Sequence, residues 1–236
     1  MVRPLKKRDF AAAQQVDVFI ANSTGIQADI AEFYQKKSTV IFPPIDLSNF
    51  SPLSKTRQKK IIPKKPRCLI WGRIVPMKRL DVAIEACQKL GWQLDIIGKG
   101  PDMDRLKKLA SSHTNFLGFV ADVTREKYIK EADLFIFCSH EDFGIAPVEA
   151  LAAGIPVVAY QAGGALDYIK PGKNGWFFSD QTAEELIKTL KELPGKKVSP
   201  TKISATANEF SATIFRKSMK NIVEKSWKEY SHENRH

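Results

Sequence analysis

Two glutamates, Glu141 and Glu149, stand with seven residues between them in the stretch Ser139 to Phe178, SHEDFGIAPVEALAAGIPVVAYQAGGALDYIKPGKNGWFF. Between them lie Phe143, Gly144 and Ile145, where a turn into a helix leaves backbone N–H groups without intrahelical partners. Such a helix start is an anion site. Glu149 falls one turn into the helix and can face the same crevice. Carboxylates beside an anion site suit a ligand that carries both phosphates and hydroxyls, and a nucleotide-sugar fits that description.

A cationic pair precedes them. Arg73 and Lys78 follow the apolar run Arg67 to Trp71, with Gly72 between. Both side chains hold positive charge, and a departing diphosphate needs that charge as its bond to a sugar breaks. The bland alternatives are a solvated lysine-rich loop for the cations and a helix-dipole partner for a lone Glu149. A glycosidase-like carboxylate pair is the other reading of the two glutamates, but no hydrolase motif accompanies them. Gly163 and Gly164 suit a tight turn or a close approach of backbone to ligand. Gly98 and Gly100, in G-K-G-P, are explained by turn chemistry alone. The four histidines have no partners in sequence, and no metal-ligand spacing exists.

The elements that must position these groups alternate. Residues 9–16 read as a helix, Val16 to Ile20 as a strand, and Thr24 with Gln27 as the capping box of a helix through Tyr34, buried through Ile26, Ile30 and Phe33 or Tyr34. Thr39 to Phe42 is a strand stopped by Pro43-Pro44. Residues 46–66 turn to Ser, Pro, Lys and Arg and read as a linker or exposed loop. Strands are then expected at Arg67–Trp71, Leu94–Ile97, Phe116–Leu117, Leu134–Phe137 and Val157–Tyr160, with helices between them, one of them over 125–132 and one after Pro147. Thr182 with Glu185 caps a further helix, and the chain ends in an amphipathic helix striped by Phe215, Met219, Ile222, Val223 and Trp227. Such alternation predicts an α/β fold, a Rossmann-like parallel sheet with helices on both faces. Every candidate residue follows a strand, where open α/β sheets bind ligands.

E-D-F-G-I-A-P-V-E resembles the paired-glutamate signature of retaining glycosyltransferases of the GT-B fold, family 4. W-G-R-I-V-P-M-K-R-L-D-V-A-I-E-A, G-K-G-P-D-M-D-R-L-K-K-L-A, F-L-G-F-V and G-G-A-L-D-Y-I are similar to further segments of that family, in the same order. The resemblance implies that residues 67–208 are the nucleotide-sugar-binding half. It implies that 1–45 are a strand–helix–strand remnant of the N-terminal domain, whose remainder lies outside this sequence, and that 209–236 are a helix crossing back toward it. It implies that Arg73 and Lys78 bind the donor phosphates, together with the backbone at Phe143, Gly144 and Ile145. By the same resemblance Glu149 accepts the ribose hydroxyls, Glu141 is the catalytic-site carboxylate contacting the transferred sugar, and the backbone near Phe119 and Val120 meets the base. The family usually has Glu where Asp167 stands.

The reaction so implied is metal-independent, without a cofactor, and moves a hexose from a nucleoside-diphosphate sugar to a glycan or lipid-linked acceptor. The E-D-F-G-I-A-P-V-E-A variant looks most like a mannosyltransferase subgroup of polysaccharide assembly, with GDP-mannose as donor. The rival reading is a non-catalytic or split nucleotide-sugar-binding subunit that needs a separate N-terminal half.

Composition bounds the partners. At 236 residues, 43% of them hydrophobic, the chain can bury a full core, and its net charge is +11. Residues 1–66 hold twelve lysines and arginines against five acids, an excess of +7. That excess reads first as a solvated basic face and second as an attraction to an anionic membrane leaflet, with phosphorylated ligands a further partner, whereas no nucleic-acid-binding motif accompanies it. Cys68, Cys87 and Cys138 lack pairing or metal spacing and read as reduced, buried thiols. No apolar run reaches the length of a membrane span, and no secretory h-region follows the N-terminus. The expected location is cytoplasmic, with peripheral contact at the inner membrane face.

Overall fold

The computed structural model of the chain describes residues 2–56 and 61–233. Contacts divide it into two compact units. One comprises Ile45–Glu209, the other the stretches before Ile45 and after Glu209.

The flanking unit holds helix α1 (Val2–Gln14), strand β1 (Phe19–Ala21), helix α2 (Thr24–Tyr34) and strand β2 (Ser38–Val40). β1 and β2 pair in parallel, Phe19 opposite Ser38. α1 starts well before residue 9, where the sequence reading placed it. The cap of α2 is Ser23, whose hydroxyl accepts from the Ile26 N–H, rather than Thr24. Of the face expected to be buried, only Ile30 is, while Phe33 is 62% exposed.

The larger unit begins with helix α3 (Leu47–Thr56), inside the stretch expected as a linker. Its Ser and Lys residues disguised two apolar anchors, Phe50 and Leu53, which are buried. There follow β3 (Cys68–Trp71), a 3-10 turn (Pro76–Lys78), α4 (Leu80–Leu90), β4 (Leu94–Ile97), α5 (Met103–Leu109), β5 (Thr114–Gly118), α6 (Asp122–Glu131), β6 (Leu134–Phe137), α7 (Ile145–Ala152), β7 (Val157–Tyr160), α8 (Ala165–Tyr168), β8 (Gly175–Phe178), α9 (Ala183–Lys191) and α10 (Pro200–Ala205). The chain closes with α11 (Ala212–Glu233) in the flanking unit. The sequence reading missed β8, α8 and α10, which are only four to six residues long. Elements this short carry little periodicity.

All six strands of the large sheet are parallel, in the order β5-β4-β3-β6-β7-β8. Parallel strands are covered on both faces, so they read as continuous apolar runs. Every residue of β3, β4 and β6 is buried. The exception in composition is Asp95 of β4, which accepts from Arg67 Nε at 2.5 Å and Asn115 Nδ2 at 2.8 Å. Asp95 thus satisfies the rule that buried charge must be paired. Helix α4 buries Leu80, Ala83, Ile84 and Cys87 on the sheet as the spacing predicts.

The strand order sets the site. From β3 the chain steps outward to β4 and β5, then returns to the other side of β3 for β6. Neighbouring connections therefore diverge between β3 and β6, and a crevice opens at their carboxyl ends.

The stripe read on α11 is buried only in part. Phe215, Met219 and Ile222 are half-buried, whereas Val223 and Trp227 are 59% and 66% exposed. Among the described residues, no helix is long and apolar enough to cross a membrane.

Candidate functional site

β3 ends at Trp71 and runs into a loop pinned at intervals. Gly72 N–H donates to the Ile97 carbonyl at 3.0 Å and Ile74 N–H to the Lys99 carbonyl at 2.9 Å. Ile74 is buried. Arg73 stands between these anchors, exposed, with no ion pair or hydrogen bond among the described residues. Lys78 closes the 3-10 turn that follows.

The β6 end supplies the acidic partner. Ser139 is buried, and its Oγ donates to Glu141 Oε1 at 2.7 Å. Lys78 Nζ lies 2.5 Å from the same oxygen. The two sequence motifs therefore meet, the cation of the first on the carboxylate of the second. Glu141 is also near enough to Tyr168 that its charge, after burial, helps hold the Tyr168 phenol protonated far above its usual range.

Phe143 is buried, its ring edge-on to Tyr168 at 5.6 Å, so only its backbone can serve a ligand. Gly144 follows with φ +88° and no side-chain cap. A Cβ there would stand 2.8 Å from Tyr168 Oη and 2.9 Å from Phe137 Cζ. Only glycine allows the chain to turn this sharply into α7. The first N–H groups of α7, on Ile145 and Ala146, face outward from the helix start, and Pro147 at the third position has no N–H to satisfy. Ile145 is half-exposed, while Ala146 lines one crevice with Gly72, Arg73, Lys78 and Ser139.

The glycine pair before α8 acts on this loop. Gly164 N–H donates to the Glu141 carbonyl at 2.9 Å. A Cβ on Gly164 would lie 2.3 Å from Phe143 Cα. Gly163, with φ +57°, makes the tight turn that was one of the two roles offered, and Gly164 adds backbone-on-backbone packing, which was not among them. That packing braces the loop that carries Glu141.

Glu149 sits one turn into α7, half-buried, and its Oε2 accepts from Trp71 Nε1 at 2.8 Å. Burial raises its pKa above the ordinary carboxylate range, and the Trp71 hydrogen bond and the charge of Arg125 partly offset that rise. Sequence reasoning did not find Trp71, Ser139 or Arg125. Ser139, two residues before Glu141, and the indole at a strand end were the only signals for them. Phe119 past β5 is 82% exposed. His140 stacks edge-on to Tyr160 at 6.5 Å. Among the described residues, no group of His, Cys, Asp and Glu has the makings of a metal site, and the three cysteines are free and buried.

Arg73, Lys78 and Ala146 of the α7 start thus line one crevice at the switch point, with Glu141 paired to Lys78 and Glu149 bonded to Trp71. The sequence model of the glycosyl transferases group 1 matches residues 54–210. The chain belongs to that family. Among curated relatives, a GDP-mannose-dependent alpha-(1-6)-phosphatidylinositol monomannoside mannosyltransferase of Mycobacterium tuberculosis is 27% identical over 173 residues, 64% of this chain and 45% of the relative. The lipopolysaccharide core biosynthesis glycosyltransferase LpsE of Rhizobium meliloti is 26% identical over 208 residues, 83% of this chain and 59% of the relative. The chain thus spans about half the length of these relatives. HepE of Anabaena, solved in complex with UDP-glucose, aligns with a TM-score of 0.74 at 21% identity, over 93% of this chain and 67% of that one. Sucrose-phosphate synthase of Thermosynechococcus elongatus aligns with a TM-score of 0.78 at 17% identity, over 94% and 61%. The architecture of this group 1 member is accordingly the α/β GT-B type.

Proposed function

We propose that this chain carries the donor site of a metal-independent glycosyltransferase. It transfers a hexose, mannose from GDP-mannose, to a glycan or lipid-linked acceptor with retention of configuration. One observation carries the reading: Arg73, Lys78, Glu141 and the start of α7 converge at the switch point between β3 and β6. Mannose as the sugar rests on the likeness to the GDP-mannose-dependent mycobacterial relative and on the E-D-F-G-I-A-P-V-E-A variant.

The diphosphate lies across Arg73, Lys78 and the N–H groups of Ile145 and Ala146. As the bond between sugar and phosphate breaks, negative charge grows on the leaving oxygen, and these fixed donors favour the transition state over the ground state. Arg73 and Lys78 fill the role that a divalent cation fills in other phosphoryl sites. Taking up the phosphate draws Lys78 from Glu141, whose carboxylate is then free to accept from the sugar hydroxyls. Glu149 accepts from the ribose diol.

Calorimetric titration of the chain with GDP, UDP and ADP tests this. Binding by GDP, lost in both Arg73→Ala and Glu149→Ala, supports the site and names the base. Binding by none of them at millimolar concentration sinks the reading.

A further inference from the structure

Glu149 has a neighbour whose chemistry the donor-site reading leaves unused. Trp71, the last residue of β3, is 8% exposed. Its ring lies parallel to Phe50 of α3, with centroids 6.4 Å apart at 4°, and edge-on to Phe135 of β6 at 4.5 Å and 63°. An aromatic ring held on two sides has one rotamer available to it. That rotamer aims the indole N–H, a donor with no acceptor function, at Glu149 Oε2, 2.8 Å away.

The two residues are 78 positions apart, and three elements converge on the contact. α3 contributes Phe50, and α6 contributes Arg125, whose guanidinium carbon lies 5.4 Å from the centre of the Phe50 ring. β3 contributes Trp71 itself. Helix α3, in the stretch whose composition suggested a linker, therefore packs its Phe50 against the residue that bonds Glu149.

We propose that Trp71 is a positioning residue for the donor. Its indole N–H clamps one oxygen of the Glu149 carboxylate and leaves the other aimed at the ribose diol of a nucleoside diphosphate. Burial raises the Glu149 pKa, and the contact with Trp71 is what opposes that rise most. An indole can only donate, so it rewards the ionised acceptor, and the charge of Arg125 works the same way against burial. Without the clamp, Glu149 gains rotamer freedom that must be lost again on binding.

This inference rests on the donor-site reading, and the experiment separates the two. Trp71→Phe keeps an aromatic ring between Phe50 and Phe135 but removes the N–H. Two probes are titrated into the 236-residue chain and into the variant. GDP, with UDP and ADP alongside, has a ribose; inorganic pyrophosphate has none and engages Arg73, Lys78 and the α7 start alone. The expected result is that Trp71→Phe weakens nucleotide binding about tenfold or more, the scale of one charge-assisted hydrogen bond, and leaves pyrophosphate affinity unchanged. Unchanged nucleotide affinity in Trp71→Phe overturns the role of Trp71. So does an equal loss for nucleotide and pyrophosphate, which marks the ring as packing only. Absence of nucleotide binding by the unmutated chain overturns the donor-site reading itself, and the role of Trp71 with it.

Discussion

Lys78 and Glu141, 63 residues apart in the chain, form an ion pair at 2.5 Å across the switch point between β3 and β6. The two side chains are only 23% and 22% exposed. The cation we propose for the diphosphate is thus neutralised by the carboxylate we propose for the sugar. Any anion that binds Lys78 competes with Glu141. Glu141→Gln is expected to tighten binding of free GDP by up to about fivefold, the range of a modest ion pair, while lowering sugar transfer. Calorimetry with GDP, set against turnover of GDP-mannose, checks both halves.

Arg73 presents the complementary case. It is exposed and holds no partner among the described residues, so its removal leaves no group stranded. Arg73→Ala is expected to lower nucleotide affinity about ten- to a hundredfold. Its melting temperature should stay within about 1 °C of the unmutated chain, as for other surface substitutions. A fall in Tm of several degrees would show that the loop depends on Arg73 for its own structure.

Glu149 gives a pH dependence. Burial holds its pKa above the ordinary carboxylate value in the folded state. A raised folded pKa means that stability is greatest below the unfolded value and declines as pH rises through the folded one. At neutral pH the ionised Glu149 therefore weakens the fold. Glu149→Gln, which can still accept from Trp71, should raise Tm at pH 7 by about 2–4 °C, a typical shift per kcal/mol for this size. The gain should vanish near pH 4, where the wild-type carboxyl is protonated. Tm measured from pH 4 to pH 7 decides it, and a gain independent of pH would place the cause elsewhere.

Gly164 braces the loop from behind, its missing Cβ leaving room for Phe143 Cα at what would be 2.3 Å. Gly164→Ala must push backbone against backbone, an overpacking cost of about 1–3 kcal/mol. The Glu141–Phe143 loop should shift, with loss of both stability and nucleotide affinity. Thermal melts and titration should show the two losses together, whereas affinity lost at unchanged Tm would point to direct ligand contact at Gly164.

Much of the larger unit was legible in the chain because parallel strands leave a plain signature. Cys68–Trp71, Leu94–Ile97, Leu134–Phe137 and Val157–Tyr160 are short apolar runs because both faces are covered. Helix α3 was not legible, since Phe50 and Leu53 are only two anchors among Ser, Asn and Lys. Its helical state depends on burial of that face in the larger unit. Nor could the stripe on α11 reveal that Val223 and Trp227 stay exposed, because periodicity records amphipathicity but not what covers the apolar side.

Local sequence suffices for the alternation of strands and helices, and for Arg73, Lys78, Glu141 and Glu149 following strands. These are local properties, carried by apolar runs, glycines and caps within a few residues of each site. Which strand ends are neighbours is settled by packing. Placing β6 beside β3 rather than beside β5 brings Lys78 to Glu141 and Trp71 to Glu149. Strand order is a matter of how the whole set of apolar faces packs together, and no short stretch of sequence encodes it.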